Sequence, residues 1–319
     1  MNAVDLALDT LRLEQHGRVL IARVDDPPFN YMTARMQRDL DTLSRAVDED
    51  ASVGAVILTG EPSDRFITHF DIADILAAAE RGSKRVSESG MRTLMRGVEA
   101  VQRVPGGGAA IEASPVSGIL NISRFNEVVL RIMRSPAVWI AAINGPCGGG
   151  GIEMSVCFDV RVAADDVSII LPELLIGLTT TVGAQRLVQL IGPSRALEML
   201  LEGRPYPAQE ALDMGLVGHV VPRLDLLDRA QDMAHRYAAR NRQTIATQKR
   251  IFNEYALMSP ADSLRAEGAA NAAGVVSGVA PHALRRWVEK QQELDGESVF
   301  LADLEPWRRG EAVDLNPET

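Results

Sequence analysis

The sequence predicts an α/β fold, and three features carry that prediction. Short β-branched runs alternate with stretches of helical periodicity through the first two-thirds of the chain. One such run opens directly into a loop of glycines, and the final third carries mostly helical spacing. At 319 residues, 46% of them apolar, the chain can form one large domain or two ordinary ones with a substantial core. Aromatic residues make up only 4%, so Ala, Val, Leu, Ile and Met must build that core.

Residues 18–24 (RVLIARV) are the first strand candidate and run into the turn-forming Asp25-Asp26-Pro27-Pro28. Met36, Leu40, Leu43 and Val47 then recur every three or four residues, which predicts an amphipathic helix over 33–47. Residues 55–59 (AVILT) read as a buried strand ending at Gly60. Residues 81–126 are rich in Gly, Ser and Arg and contain Pro105-Gly106-Gly107-Gly108; a long, partly disordered insertion or lid is expected there. Residues 139–143 (WIAAI) form another strand, followed at once by Asn144-Gly145-Pro146 and four glycines. Strand candidates at 160–163 and 168–171 come next, and from Pro172 to about Tyr255 the pattern is helical. The expected organisation is an α/β core over 1–240, a helical assembly region over 241–295 and an acidic surface tail over 296–319.

Composition narrows the function. A formal net charge of −10 argues against a nucleic-acid binder with a broad basic surface, although a local arginine cluster can still grip a phosphorylated ligand. Cys147 and Cys157 are too few for a disulfide framework, and five scattered histidines give no metal-ligand spacing. The first fifteen residues lack a basic segment followed by an apolar one, and no run approaches 18 apolar residues. A reduced cytoplasmic protein with no metal and no membrane partner is expected.

The glycine run, Gly148-Gly149-Gly150-Gly151, is entropically expensive in an ordered protein. It suits a place where backbone must approach something closely, or where free N–H groups hold an oxyanion. A flexible turn feeding a helix, or a phosphate loop, fits the glycines equally. Glu153 falls one turn further on, and Glu173 follows Pro172. Each alone reads as an acid placed at a helix start. A dinucleotide fold is disfavoured: Gly-x-Gly-x-x-Gly spacing is missing, and Glu173 follows a proline rather than a strand.

Taken together, these residues resemble the crotonase (enoyl-CoA hydratase/isomerase) superfamily. Its signature, Asn-Gly-x-x-x-Gly-Gly-Gly-x-Glu, reads here as Asn144-Gly145 and then Gly149-Gly150-Gly151-Ile152-Glu153. Pro172-Glu173 falls in register with the family's second glutamate. Gly177, Gln185-Arg186-Leu187, Ile191-Gly192, Leu200-Leu201-Glu202-Gly203 and Gly215-Leu216-Val217 continue the pattern. Upstream, Pro28-Phe29-Asn30 and residues 66–72 agree less tightly. The resemblance implies a spiral of repeated ββα units with a helical C-terminal assembly region, and a homotrimer or hexamer.

It also implies roles. The backbone N–H groups of Phe70 and Gly150 would hold a thioester carbonyl as it gains enolate character. Glu153 would activate water, and Glu173 would deliver a proton. Thr68, His69, Gly149 and Thr180 would border the acyl group, while Arg286 and Lys290 on the final helix would meet coenzyme A phosphates from a neighbouring subunit. Coenzyme A is then part of the substrate, and no separate cofactor is needed. Both carboxylates favour an enoyl-CoA hydratase-type lyase; an acyl-CoA double-bond isomerase and a non-catalytic acyl-CoA-binding protein are the alternatives. Two departures bear on substrate. Thr68-His69 stands where the family has Ala-Gly, and Thr179-Thr180-Thr181 replaces a Pro-Gly-rich loop.

Overall fold

The computed structural model describes residues 2–61, 63–81, 86–102, 104–112, 114, 117–180, 182–276, 280–294 and 304–309. The strands are β1 (Leu11–His16), β2 (Val19–Val24), β3 (Ala55–Gly60), β4 (Val138–Ile143), β5 (Cys147–Gly148), β6 (Val160–Ala164), β7 (Ser168–Ile170), β8 (Tyr206–Pro207) and β9 (His219–Val221). Six of them form the main sheet in the order β1-β2-β3-β4-β6-β9, and β5-β7-β8 form a small second sheet. Only β1 runs antiparallel in the main sheet; every other pair there is parallel. Parallel strands are covered on both faces, which is why β3 and β4 are buried at every position and almost wholly apolar. The edge strand β1, LRLEQH, alternates instead between covered and open positions, and its weak apolar signal hid it in the sequence.

Between β2 and β3 lies helix α1 (Ala34–Glu49), whose Met36, Leu40, Leu43 and Val47 are buried as their spacing predicts. Thr33 caps it by accepting the Met36 N–H at 3.2 Å, an arrangement that contributes about 1 kcal/mol. Residues 81–126 carry helices that the composition did not announce. After α2 (Ile72–Arg81), the described part of this stretch is largely helical: α3 (Glu88–Gln102), α4 (Gly107–Glu112) and the start of α5 (Ser117–Arg134). Val98, Ile111 and Leu120 gather into a small core of their own, while α5 packs along α1. Polar composition misled here because three short apolar contacts suffice to align these helices.

The second half carries α6 (Gly150–Ser155), α7 (Ala184–Ile191), α8 (Pro193–Glu202), α9 (Ala208–Met214) and α10 (Leu226–Ala238), the last laid across β3 and β4. The expected continuous helical pattern after Pro172 is interrupted by β8 and β9, whose two and three residues are too short to show a period. Helices α11 (Arg242–Asn253), α12 (Pro260–Val276) and α13 (Ala280–Glu293) close the described C-terminal region, followed by a short helix at Glu305–Arg309. Most of the anticipated tail, 296–303 and 310–319, lies outside the described residues. Lys249 ties α11 to the core: its ammonium lies 2.6 Å from the Asp159 carboxylate and donates to the carbonyls of Ala137 (2.7 Å) and Ile132 (3.2 Å). Burial pushes the Lys249 pKa down and the Asp159 pKa up, and their mutual attraction opposes both shifts.

Candidate active site

The floor of the site is a contact between two backbones. Beyond β4, the Asn144 carboxamide donates to the Gly60 carbonyl (2.9 Å) and accepts the Gly60 N–H (3.0 Å), which joins the ends of β3 and β4. From there the glycine run lies directly on residues 64–70. A Cβ on Gly145 would sit 2.3 Å from the Asp64 carbonyl oxygen; on Gly148, 2.7 Å from that of Thr68; on Gly151, 2.1 Å from that of Ile67. No real Cβ tolerates such distances, so close approach explains the glycines and the flexible-turn reading falls away. Gly149 has φ +43°, a left-handed conformation that favours glycine. Its N–H donates to the Ile170 carbonyl at 3.2 Å, and its carbonyl accepts the Glu153 N–H at 2.9 Å, which starts α6.

Both glutamates are buried, on different elements. Glu153 projects from α6, is 2% exposed, and accepts the Val182 N–H through Oε1 at 3.3 Å. Glu173 opens a four-residue 3₁₀ turn (Glu173–Ile176) that stops at Gly177, where φ is +76°. Pro172 caps this turn rather than occupying its first position, and the regular helix expected there is absent. One Glu173 oxygen, Oε1, lies 3.2 Å from where a Gly149 Cβ would stand. The other, Oε2, is buried and has no hydrogen-bond partner among the described residues. Burial raises the Glu173 pKa, so this carboxyl keeps its proton to higher pH than an exposed glutamate.

The same Gly149 position lies 3.8 Å from the Phe70 backbone nitrogen and 3.6 Å from the His69 Cβ. Glu173, Phe70 N–H and the glycine strip therefore converge, although they come from distant parts of the chain. The Phe70 ring covers Gly150 at 2.8 Å from its notional Cβ and meets Phe125 edge-on, with centroids 5.5 Å apart. His69 turns aside: its ring lies 4.6 Å from that of Tyr31, and Nδ1 is 2.5 Å from the Phe70 carbonyl oxygen. Tyr31 in turn stacks on Phe29 at 5.1 Å. The Thr68 hydroxyl donates to the Phe29 carbonyl at 2.8 Å, so it anchors the facing loop. Nothing in the local pattern marked Tyr31 or Phe125, whose contacts with His69 and Phe70 are long-range.

Beside Glu153 is a small cavity lined chiefly by Ile152, Leu171, Thr180, Val182 and Leu187. The fold thus brings Thr180 to the first glutamate; Thr181 lies outside the described residues. Arg286 and Lys290 are not gathered with these groups: they lie on α13, which packs on α12. Among the described residues no cluster of His, Cys, Asp and Glu could hold a metal ion, and no helix is long and apolar enough to cross a membrane.

Comparison with known proteins agrees with this layout. The family model described as Enoyl-CoA hydratase/isomerase matches residues 120–294. A Bacillus subtilis protein described as a probable enoyl-CoA hydratase is 27% identical over 300 residues, covering 93% of this chain and 100% of that protein. Among solved structures, Pseudomonas aeruginosa DspI superposes with a TM-score of 0.72 at 23% identity, over 91% of this chain and 98% of its own. An enoyl-CoA hydratase from Bacillus anthracis gives 0.71 at 23% identity, over 88% and 97%. At that identity the two structures speak for the fold, which is the crotonase fold.

Proposed function

The chain belongs to the enoyl-CoA hydratase/isomerase family, and on that premise we propose that it adds water to a 2-enoyl-CoA thioester, or removes it from the 3-hydroxyacyl form. The observation that carries the reading is a pair of buried carboxylates on separate elements: Glu173 beside Gly149, and Glu153 on the helix that Gly150 opens. In this scheme the Phe70 and Gly150 N–H groups donate to the thioester oxygen as charge develops on it. Stabilising that charge lowers the barrier to reaction at the neighbouring carbons. Glu153 takes a proton from water as its oxygen bonds to Cβ, and Glu173 gives its proton to Cα. The raised pKa of Glu173 suits the donor role, since the group must be protonated when the enolate forms.

Arg286 and Lys290 would reach coenzyme A phosphates only from another copy of the chain. The exposed apolar side chains Leu264, Leu284 and Val288 on α12 and α13 support such a homo-oligomer. The test is the conjugated enoyl absorbance of crotonyl-CoA and of a longer 2-enoyl-CoA, with product analysis. Wild type should consume the band and form the 3-hydroxyacyl thioester, and Glu153→Gln and Glu173→Gln should each slow this by roughly 10²–10⁴-fold. Formation of a shifted double bond without water uptake would establish isomerisation instead. Binding without turnover would leave an acyl-CoA-binding protein.

A further inference from the structure

We propose that His69 is a positioning residue for the oxyanion donor: its imidazole holds the Phe70 backbone, so that the Phe70 N–H stands ready for the thioester oxygen. The inference rests on the hydratase reading and gives a role to a side chain that the two-glutamate scheme does not use.

Three observations carry it. The first is direction. The Phe70 N–H belongs to the peptide whose carbonyl is that of His69, and this carbonyl accepts the Met32 N–H at 2.8 Å. In a trans peptide the two groups point opposite ways, so the Phe70 N–H faces away from Met32. It donates to no group among the described residues. Its nitrogen lies 3.8 Å from the notional Gly149 Cβ, which itself stands 3.2 Å from Glu173 Oε1. The second is the imidazole contact. His69 Nδ1 is 2.5 Å from the Phe70 carbonyl oxygen; that oxygen can only accept, so Nδ1 carries the hydrogen and donates. Both peptides flanking the Phe70 Cα are therefore held, one by Met32 and one by the His69 side chain. The third is what holds the ring. It packs on Tyr31 with centroids 4.6 Å apart, and Tyr31 stacks on Phe29. The Thr68 hydroxyl ties the same loop through the Phe29 carbonyl at 2.8 Å.

The glycine that the family carries at this place leaves the turn free to choose its conformation, whereas the side chain here makes the choice. An oxyanion donor is worth most when its direction is set before charge develops, because nothing then has to reorganise in the transition state. His69 makes and breaks no bond: it donates from Nδ1 to a backbone carbonyl, and Phe70 meets the thioester oxygen. Its effect falls on kcat rather than on KM, since the contact it prepares strengthens as the enolate forms.

Two substitutions separate the donor from the ring. His69→Phe keeps the stack on Tyr31 and loses the donor; His69→Asn loses the stack and keeps an N–H close to the Nδ1 position. In the full-length protein His69→Phe should lower kcat for crotonyl-CoA hydration by about tenfold, the scale of one hydrogen bond, with KM little changed. His69→Asn should stay within about threefold of wild type on the same reasoning. Infrared difference spectra of bound butyryl-CoA labelled at its carbonyl give an arm that needs no turnover. Wild type and His69→Asn should shift the carbonyl stretch to lower frequency, and His69→Phe should shift it less. Should His69→Phe not fold, His69→Leu repeats the loss of the donor with a smaller side chain. A His69→Asn slower than His69→Phe would assign the ring a packing role and overturn the proposal. Equal kcat and equal carbonyl shift in wild type and His69→Phe would also overturn it and leave the hydratase reading standing. A wild type that hydrates no enoyl-CoA would remove the reading and the proposal together.

Discussion

The floor and the rim of the cleft are built on opposite principles. Along the floor, Gly145, Gly148 and Gly151 lie so close to residues 64–68 that any Cβ would strike backbone oxygen at 2.3, 2.7 and 2.1 Å. Along the rim, Leu174, Leu175, Ile176 and Leu178 are exposed, and the Thr180 hydroxyl is buried without a partner among the described residues. The floor has no freedom to vary and fixes where two N–H groups and Glu153 stand. Of the chain's two departures from its family's pattern, the Thr179-Thr180-Thr181 run lies at the rim and Thr68-His69 lies against the floor.

The largest effect should come from a methyl group on the floor. In Gly151→Ala the new carbon would meet the Ile67 carbonyl at 2.1 Å, with no flexible side chain to yield. Overpacking of this kind costs about 3 kcal/mol or more, and a thermal melt should show a Tm lower by roughly 5–10 °C. An unchanged Tm would mean that the floor adjusts as a loop does, and the contrast with the rim would collapse.

Gly149→Ala should divide stability from activity. The residue sits at φ +43°, and its Cβ would lie 3.2 Å from Glu173 Oε1. The strained backbone should cost about 1–2 kcal/mol. Displacing the glutamate and the adjoining N–H should lower hydration by about a hundredfold, the loss typical of a misplaced oxyanion donor. Wild-type activity in a folded Gly149→Ala would show that this strip does not border the reacting atoms.

These floor contacts also explain what the sequence could tell. The β3 and β4 runs, the Asn144-to-Glu153 signature and Pro172-Glu173 are local strings, each dictated by one packing demand, so they were legible. The 81–126 helices were not, because their alignment depends on Val98, Ile111 and Leu120 meeting across separate turns. The Tyr31–His69 contact and the Val182 N–H on Glu153 span 38 and 29 residues, and no periodicity reports such pairs. Arg286 and Lys290 lie on α13, apart from the glycine strip, because the phosphate contact expected of them is one made across two copies of the chain.

Glu173 joins floor to rim, and pH should reveal it. Burial raises its folded pKa above the unfolded value. In the proposed scheme the Glu173 proton is present below that raised pKa and lost above it, so hydration should show an alkaline limb. Linkage gives stability the same sign: the contribution of Glu173 is full below its unfolded pKa and disappears as pH rises through the folded one. Melts of wild type and Glu173→Gln across pH should show the variant gaining on wild type as pH rises through this window. A constant difference would mean that Glu173 is not held in an unfavourable setting for its charge.

The smallest expected effect is also the sharpest control. Thr179 is exposed and Thr180 Oγ1 is buried, although the two are adjacent in one loop. Thr179→Val should alter stability by no more than about 0.5 kcal/mol. It should leave the hydration rate within about twofold of wild type, since no hydrogen bond to the reacting groups is removed. If Thr179→Val loses as much activity as Thr180→Val, the loop acts through its backbone, and the rim is then selective by shape alone. If only Thr180→Val loses activity, a single buried hydroxyl separates two otherwise identical side chains, and the loop acts through that hydroxyl.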